Sequence, residues 1–388
     1  MTMKQLLMLL TFGIVAVMPA TAQMAGEEEI GVRSRSFKVS KGGRLDLSTS
    51  YGDIRIKPWS KDEVYVSVSG LEEEDLDRLK MTQTGNDVMV SFRPRGRSWS
   101  GGDARFDVNV PSSYNVQLKT SGGDVNVDGP LTGTVEGSTA GGDITLGAIN
   151  GDVDMSTSGG DIKASEFSGS GKLRTAGGDI RLGKVGGKLD VSTSGGDITV
   201  ESVAKTLEAR TAGGDIEVGD VGGEAKLSTS GGDIRVGKVS GEASMSTAGG
   251  NLELKGATGR VSAKTSGGDI RLQGVTGSVD ARTAGGEVEA EIAPSGKGSS
   301  RLTSSGGRIV LHLPENAKAS VEATIRVHGS WGRRADRYQV RSDFKADSYE
   351  KDEDDEEIRA TYSINGGGER IDLETVNADI EIRKGRAR

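Results

Sequence analysis

A Gly-Gly-Asp tripeptide, or a close variant of it, returns along this 388-residue chain at a near-constant step, and that regularity restricts the possible folds more than any other feature. Its acidic position falls at Asp124, Asp143, Asp161, Asp179, Asp197, Asp215, Asp233, Asn251, Asp269 and Glu287; the first step is 19 residues and the other eight are 18. Self-similarity at a short fixed period means a solenoid, in which each repeat buries its apolar edge only against its neighbours. Counting forward from each acidic position, apolar residues recur at offsets 1, 3, 6, 10 and 12, and threonine at 14. From Asp179 the inward set is Ile180, Leu182, Val185, Leu189, Val191 and Thr193, with Gly183, Gly187, Gly195 and Gly196 at the bends. A spacing of two is the strand period, and a glycine at each break supplies the left-handed φ or the close approach that a tight corner needs. The expected fold is all-β: a single-chain parallel β-solenoid (β-helix) with about 18 residues per coil, two or three short strands in each coil, and bulkier caps at both ends.

Stacking puts equal offsets in columns. Two residues after the acidic position the column reads Glu217, Arg235, Glu253, Arg271, Glu289, the alternation of sign that neighbours at strand spacing prefer. A competing 36-residue period exists, because Ser and Ala alternate before the glycine pair (Ser158, Ala176, Ser194, Ala212, Ser230, Ala248, Ser266, Ala284). It reads as the trace of a two-coil duplication, and a 36-residue coil is the alternative.

Sixty glycines in a polar chain would elsewhere indicate low complexity, but here they are periodic and alternate with Ile and Val. Between Pro111 and Val327 the sole aromatic residues are Tyr114 and Phe167, which fits a coil interior too thin for rings. Residues 1–22 carry Lys4, an apolar run from Leu6 to Val17 and an Ala20-Thr21-Ala22 end, the pattern of a secretory signal peptide cleaved after Ala22. The expectation is an exported protein that is periplasmic, on the cell surface or secreted, with no membrane span. Cysteine is absent, so neither a disulfide framework nor a lipid-modified cysteine is available. Without Lys4 the basic residues number 48 against 57 acidic, a formal charge of −9, which gives no support to nucleic-acid binding.

An acidic linker, residues 23–36, precedes a segment with larger side chains, 37–120, read as an N-terminal cap and first irregular coils. Within it Tyr51-Gly52-Asp53 is an irregular first copy of the corner motif, and Glu72 to Lys80 is the one stretch with a helical pattern. Residues 121–308 form the regular coils. After Glu287 the period lengthens to 21 at Arg308, across a loop from Ala293 to Gly298. Residues 309–388 regain large residues (Trp331, Tyr338, Phe344, Tyr349, Tyr362), carry an acidic loop at 352–357, and repeat the corner as Asn377-Ala378-Asp379. They read as C-terminal coils and cap, because a solenoid's open edges need covering.

The motif Ser158-Gly159-Gly160-Asp161-Ile162, its relatives in each later coil, the opening Leu45-Asp46-Leu47-Ser48-Thr49-Ser50-Tyr51-Gly52-Asp53-Ile54-Arg55-Ile56 and the closing Asn377-Ala378-Asp379-Ile380-Glu381-Ile382 resemble a family of bacterial envelope proteins named "putative adhesins". That family is built of β-strand repeats with an S-G-G-D-I-x-V signature, and the auto-transporter adhesin head domain is similar. The resemblance covers roughly Phe37 to Lys384. It implies a β-solenoid exposed in the envelope and brings no catalytic motif.

Four constellations invite a sharper reading. The Asp column is the first, since carboxylates one coil apart can sandwich Ca²⁺ as in calcium-binding β-rolls; those repeat every nine residues with a third glycine. The plain reading is that each Asp accepts a backbone N–H at the corner. Second, the column Thr120, Thr139, Thr157, Thr175, Thr193, Thr211, Thr229, Thr247, Thr265 and Thr283 resembles the exposed ranks of ice-binding solenoids, but its parity with Leu189 and Val191 points it inward, leaving Ser192, Arg174, Arg210, Lys264 and Arg282 outside. Third, His312 and His328 are the only histidines, and both read as structural or incidental. Fourth, the run Asp352 to Glu357 reads as a solvated loop, with low-affinity Ca²⁺ capture as the alternative.

No catalytic, cofactor or metal residues are assigned, and no cofactor is expected. The function expected is that of a non-catalytic exported β-solenoid presenting a repetitive binding surface, an adhesin or envelope scaffold whose partner is an envelope protein or a cell-surface glycan. The alternatives are a polysaccharide-active β-helix enzyme (lyase or hydrolase), which would need a proton acceptor or clustered carboxylates set apart from the repeat, and a calcium-binding β-roll.

Overall fold

The computed structural model describes residues 32–95, 104–296, 298–328, 337–352 and 356–385. Residues 1–22, expected to be a signal peptide, residues 23–31 of the expected linker, Lys297, Trp331 and acidic residues 353–355 lie outside the described residues.

Each regular coil is two strands rather than three. In the coil from Asp179 these are Ile180–Val185 and Leu189–Ser192. The first has its inward residues at its positions 1, 3 and 6, so two successive residues, Gly183 and Lys184, face outward and the strand bends there. Ile180, Leu182, Val185, Leu189, Val191 and Thr193 are all buried. First strands stack only on first strands and second on second, giving two sheets of 18 strands each among the described residues.

The register fixes the coil length. Ile144, Ile162, Ile180, Ile198, Ile216, Ile234, Leu252 and Ile270 are successive parallel partners, each 18 residues from the last. The 36-residue rhythm is a surface pattern laid over this coil. Gly159 N–H donates to Ala140 O and Gly177 N–H to Ser158 O, so Ser and Ala serve the backbone alike. Ser156, Arg174, Ser192 and Arg210 are successive partners, and the intervening serines keep guanidinium groups two coils apart.

The second glycine of each corner pair is needed for close approach, not for a left-handed φ. A Cβ on Gly196 would lie 2.2 Å from Gly178 O, whereas one on Gly195 would lie 3.3 Å from Gly177 O. None of the corner pairs is among the glycines with positive φ.

At both ends the chain departs from sequential stacking. Arg44–Thr49 sits between Asp87–Phe92 and Asn115–Lys119, and Asp53–Trp59 between Arg105–Pro111 and Val125–Val127. At the other end Glu369–Val376 sits between Ser300–Ser304 and Ala319–Arg326, and Ile380–Lys384 between Ile309–Leu313 and Val340–Ser342. Antiparallel strands finish each end: Glu63–Ser69, Arg33–Lys38 and Lys80–Thr84 at one, Glu357–Ile364 and Ser348–Asp352 at the other. The N-terminal end is wide enough for rings, and Tyr51, Phe92 and Phe106 pack there with centroids 5.4 Å and 6.2 Å apart. The helical stretch expected over Glu72 to Lys80 is a single 3₁₀ segment, Glu73–Arg78, in which Asp75 N–H donates to Glu72 O at 3.0 Å.

Candidate functional site

The Asp column is a hydrogen-bond ladder between coils. From Asp124 to Glu287, each backbone N–H donates to Oδ1 of the preceding member at 2.7–2.9 Å. The expected backbone acceptor role holds, but the N–H belongs to the next coil and not to the residue's own corner. Asn251 fits because its Oδ1 occupies the same place, accepting from Asp269 N–H at 2.8 Å. The irregular first copy takes part as well: Asp53 Oδ1 accepts from Asp124 N–H at 2.9 Å. In the closing copy Asp379 Oδ1 accepts from Gln339 N–H at 3.0 Å.

At Asp161, Asp179, Asp215 and Asp233 the second carboxylate oxygen faces a guanidinium. Arg181 lies 2.7 Å from Asp179 Oδ2 and 3.5 Å from Asp161 Oδ2; Arg235 lies 2.5 Å from Asp233 Oδ2 and 3.7 Å from Asp215 Oδ2. At these coils one oxygen is bound by backbone and the other by guanidinium, which leaves no lone-pair set converging on a calcium-sized space. The Asp161 carboxyl is held below the usual carboxylate range, first by the Asp179 N–H, with Lys163 and Arg181 adding to it against partial burial. Among the described residues no three His, Cys, Asp or Glu side chains are grouped to hold a metal ion.

The threonines are buried, as their parity requires, and tie coils together. Thr193 Oγ1 donates to Gly178 O at 2.9 Å and accepts from Gly196 N–H at 3.3 Å. The same rung recurs from Thr120 to Thr283 and continues through Ser304 and Thr375. Arg174, Arg210, Lys264 and Arg282 are exposed.

His312 departs furthest from the repeat. Its imidazole is 9% exposed in Ile309–Leu313, a strand buried on both faces. Nε2 lies 3.2 Å from Glu289 Oε1; a carboxylate only accepts, so Nε2–H donates. Around it Glu287, Arg308, Asp343, Arg383 and Lys384 line a cleft of about 490 Å³. Arg308 bridges Glu287 at 3.0 Å and Glu381 at 3.6 Å, which raises the Arg308 pKa further, chiefly through the Glu287 hydrogen bond. This is a seam of paired acidic and basic side chains joining the lengthened coil to the C-terminal strands, and no sequence spacing pointed to it. His328 is exposed, its backbone N–H donating to Asn377 Oδ1 at 3.1 Å. Of the acidic run, Asp352 ends an exposed strand and Glu357 pairs with Arg326 and Arg359 at 3.3 Å and 2.8 Å.

Two shallow grooves run along the outer faces. One, about 560 Å³, follows the bends of the first strands from Leu182 to Lys255, opened by Gly183, Gly219 and Gly237 and walled by Glu201, Glu217, Arg235 and Glu253. The other, about 740 Å³, runs from Ser170 to Ser244 on the opposite sheet, past Lys188, Asp190, Glu208 and Lys226. Both cross several coils, and the first follows the strand bends, where Gly183, Gly219 and Gly237 share one offset with Glu201 and Lys255.

No helix among the described residues is long and apolar enough to cross a membrane. No curated protein matches the chain. Among solved structures the chain is similar to a "putative adhesin" from Parabacteroides merdae, with 13% identity over 68% of this chain and 97% of that one and a TM-score of 0.34. It is also similar to a "putative adhesin" from Bacteroides fragilis (17% identity, 73% and 97% covered, TM-score 0.23) and to a "putative cell adhesion protein" from Clostridium sporogenes (11%, 91% and 100%, 0.18). Those scores are too low to carry anything from these proteins to this one. The Toastrack DUF4097 family pattern matches residues 43–220 and again 204–383, so almost the whole stack is covered, and the chain belongs to the Toastrack DUF4097 family.

Proposed function

We propose that this protein is a non-catalytic exported rod whose repeated outer faces bind an envelope protein or a cell-surface glycan, as an adhesin or an envelope scaffold. The observation that carries this reading is the in-register stacking itself. The same outward positions recur at about 4.8 Å intervals over many coils, with charge alternating from Glu217 to Glu289, so weak contacts to a partner of matching repeat add along the rod. The similarity of the corner motif to the auto-transporter adhesin head domain supports the same reading, as does the signal-peptide pattern of residues 1–22.

The test has two arms. Protease shaving of intact cells should remove the protein if it is a surface adhesin and spare it if it is a periplasmic scaffold. Purified protein should bind isolated envelopes, and Glu217→Lys with Glu253→Lys, which reverses two walls of the first groove, should weaken that binding at least tenfold while leaving the melting temperature within a few degrees. Unchanged binding by this variant and by the matching Asp190→Lys with Glu208→Lys variant would remove the grooves from the proposal. Turnover of an acidic polysaccharide that Glu289→Gln abolishes would replace the proposal with the enzyme reading.

A further inference from the structure

We propose that the N-terminal mouth of the solenoid is held shut by a reciprocal polar latch that prevents a second copy of this chain from stacking end-on. The outermost strands there are Arg33–Lys38 in one sheet and Lys80–Thr84 in the other, and among the described residues each pairs with a strand on one side only. Unpaired strand edges are templates for another chain, and a second solenoid presents two edges at the same separation, so like ends are the best-fitting partners available to them.

The core-facing positions of these strands are where the latch lies. Arg33 and Arg35 stand opposite Val68 and Val66, and Met81 and Gln83 opposite Val90 and Val88; all four valines are fully or almost fully buried. Apolar residues at Arg35 and Gln83 would extend the core surface out to the mouth. Instead Arg35 Nη1 donates to Met81 O at 2.8 Å, across the mouth, and Gln83 Nε2 donates to Lys38 O at 2.6 Å in the reverse direction. Each edge strand thus supplies the side chain that occupies a carbonyl of the other. The Arg35 guanidinium also lies 4.9 Å from the Phe37 ring centroid, which fixes it over the opening. Inward-pointing charge on an edge strand is a known way of discouraging edge-to-edge pairing, and here it is combined with direct use of the edge carbonyls.

Because the chain has no cysteine, Ser34→Cys on the exposed N-terminal edge strand is an unambiguous reporter of end-to-end contact. In the mature full-length protein carrying it, light scattering should show a monomer and oxidation should give no cross-link. Adding Arg35→Met and Gln83→Met keeps side-chain length and removes the polar ends. That variant should form dimers or longer end-joined species at least tenfold more readily, cross-linked through the reporter. A latch variant that stays monomeric, whether or not its melting temperature falls, would show the contacts to be structural only and overturn the proposal, as would cross-linking without the latch changes. Should the double change fail to fold, Gln83→Met and Arg35→Met are made singly. Arg35→Met opens the Met81 carbonyl and Gln83→Met those of Lys38 and Gly85; each is expected to associate partially, and monomers in both would overturn the proposal equally.

Discussion

Two glycines adjacent in sequence have different jobs at each corner. Gly195→Ala places a methyl 3.3 Å from Gly177 O, a contact that a few tenths of an ångström relieves; Gly196→Ala places it 2.2 Å from Gly178 O, inside backbone that cannot move without shifting two coils. The first should cost under about 1 kcal/mol and the second about 1–3 kcal/mol or more, read from urea midpoints; equal costs would mean that the corner is not packed as described. The Asp ladder makes an equally local prediction. Asp197→Asn should be nearly neutral, since Asn251 already fills such a rung, while Asp197→Ala leaves the Asp215 N–H without its acceptor and should cost about 0.5–1.5 kcal/mol. Millimolar Ca²⁺ should leave the melting temperature of both variants and of the parent unchanged, because Asp197 Oδ1 is taken by the Asp215 N–H and, among the described residues, no three acidic side chains are grouped to hold a metal ion. A rise of several degrees in the parent that Asp197→Asn abolishes would restore the calcium reading.

At the scale of the strand, the period and the parity were legible because each coil repeats the same chemistry: apolar residues at fixed offsets named the interior, and the structure buries Ile198 and Val200 while exposing Thr199. One irregular coil shows what a column reading misses. Phe167 is the ring buried within the regular coils, and it fits because the position stacked between Val153 and Leu189 is Gly171; a Cβ there would lie 2.5 Å from the Phe167 ring. Large and small exchange volume within one coil, a pairing that no single column displays. Since each coil otherwise contacts only its neighbours, deleting Asp197 to Gly214 should leave a folded, soluble rod shorter by about 4.8 Å, measured by circular dichroism and small-angle scattering. Removing nine residues, Asp197 to Lys205, should not, because it brings inward residues onto outward columns. Equal tolerance of the two deletions would contradict the 18-residue register.

Over the whole molecule, the order of strands at the ends was not legible, and the reason is physical. Spacing reports only neighbours along the chain, whereas the end coils are joined by strand pairing across about 70 residues: Asp53 accepts from Asp124, and Thr375 Oγ1 donates to Gly307 O, at sequence separations of 71 and 68. At each end one coil is thereby inserted a step inside the terminus of the stack: Arg44–Thr49 with Asp53–Trp59 at the N-terminal end and Glu369–Val376 with Ile380–Lys384 at the C-terminal end. An outermost coil could be lost with little consequence; an inserted one separates its two neighbours when removed. Ending the chain at Gly368 deletes Glu369–Val376 and Ile380–Lys384 and thus takes away the shared partners of Ser300–Ser304, Ile309–Leu313, Ala319–Arg326 and Val340–Ser342. The truncated protein should therefore lose amide-exchange protection from residue 300 onward while keeping it in the regular coils, because disruption spreads only as far as nearest-neighbour contacts carry it. Protection retained in Ala319–Arg326 would show that the C-terminal strands lie on the end of the stack and do not hold it together.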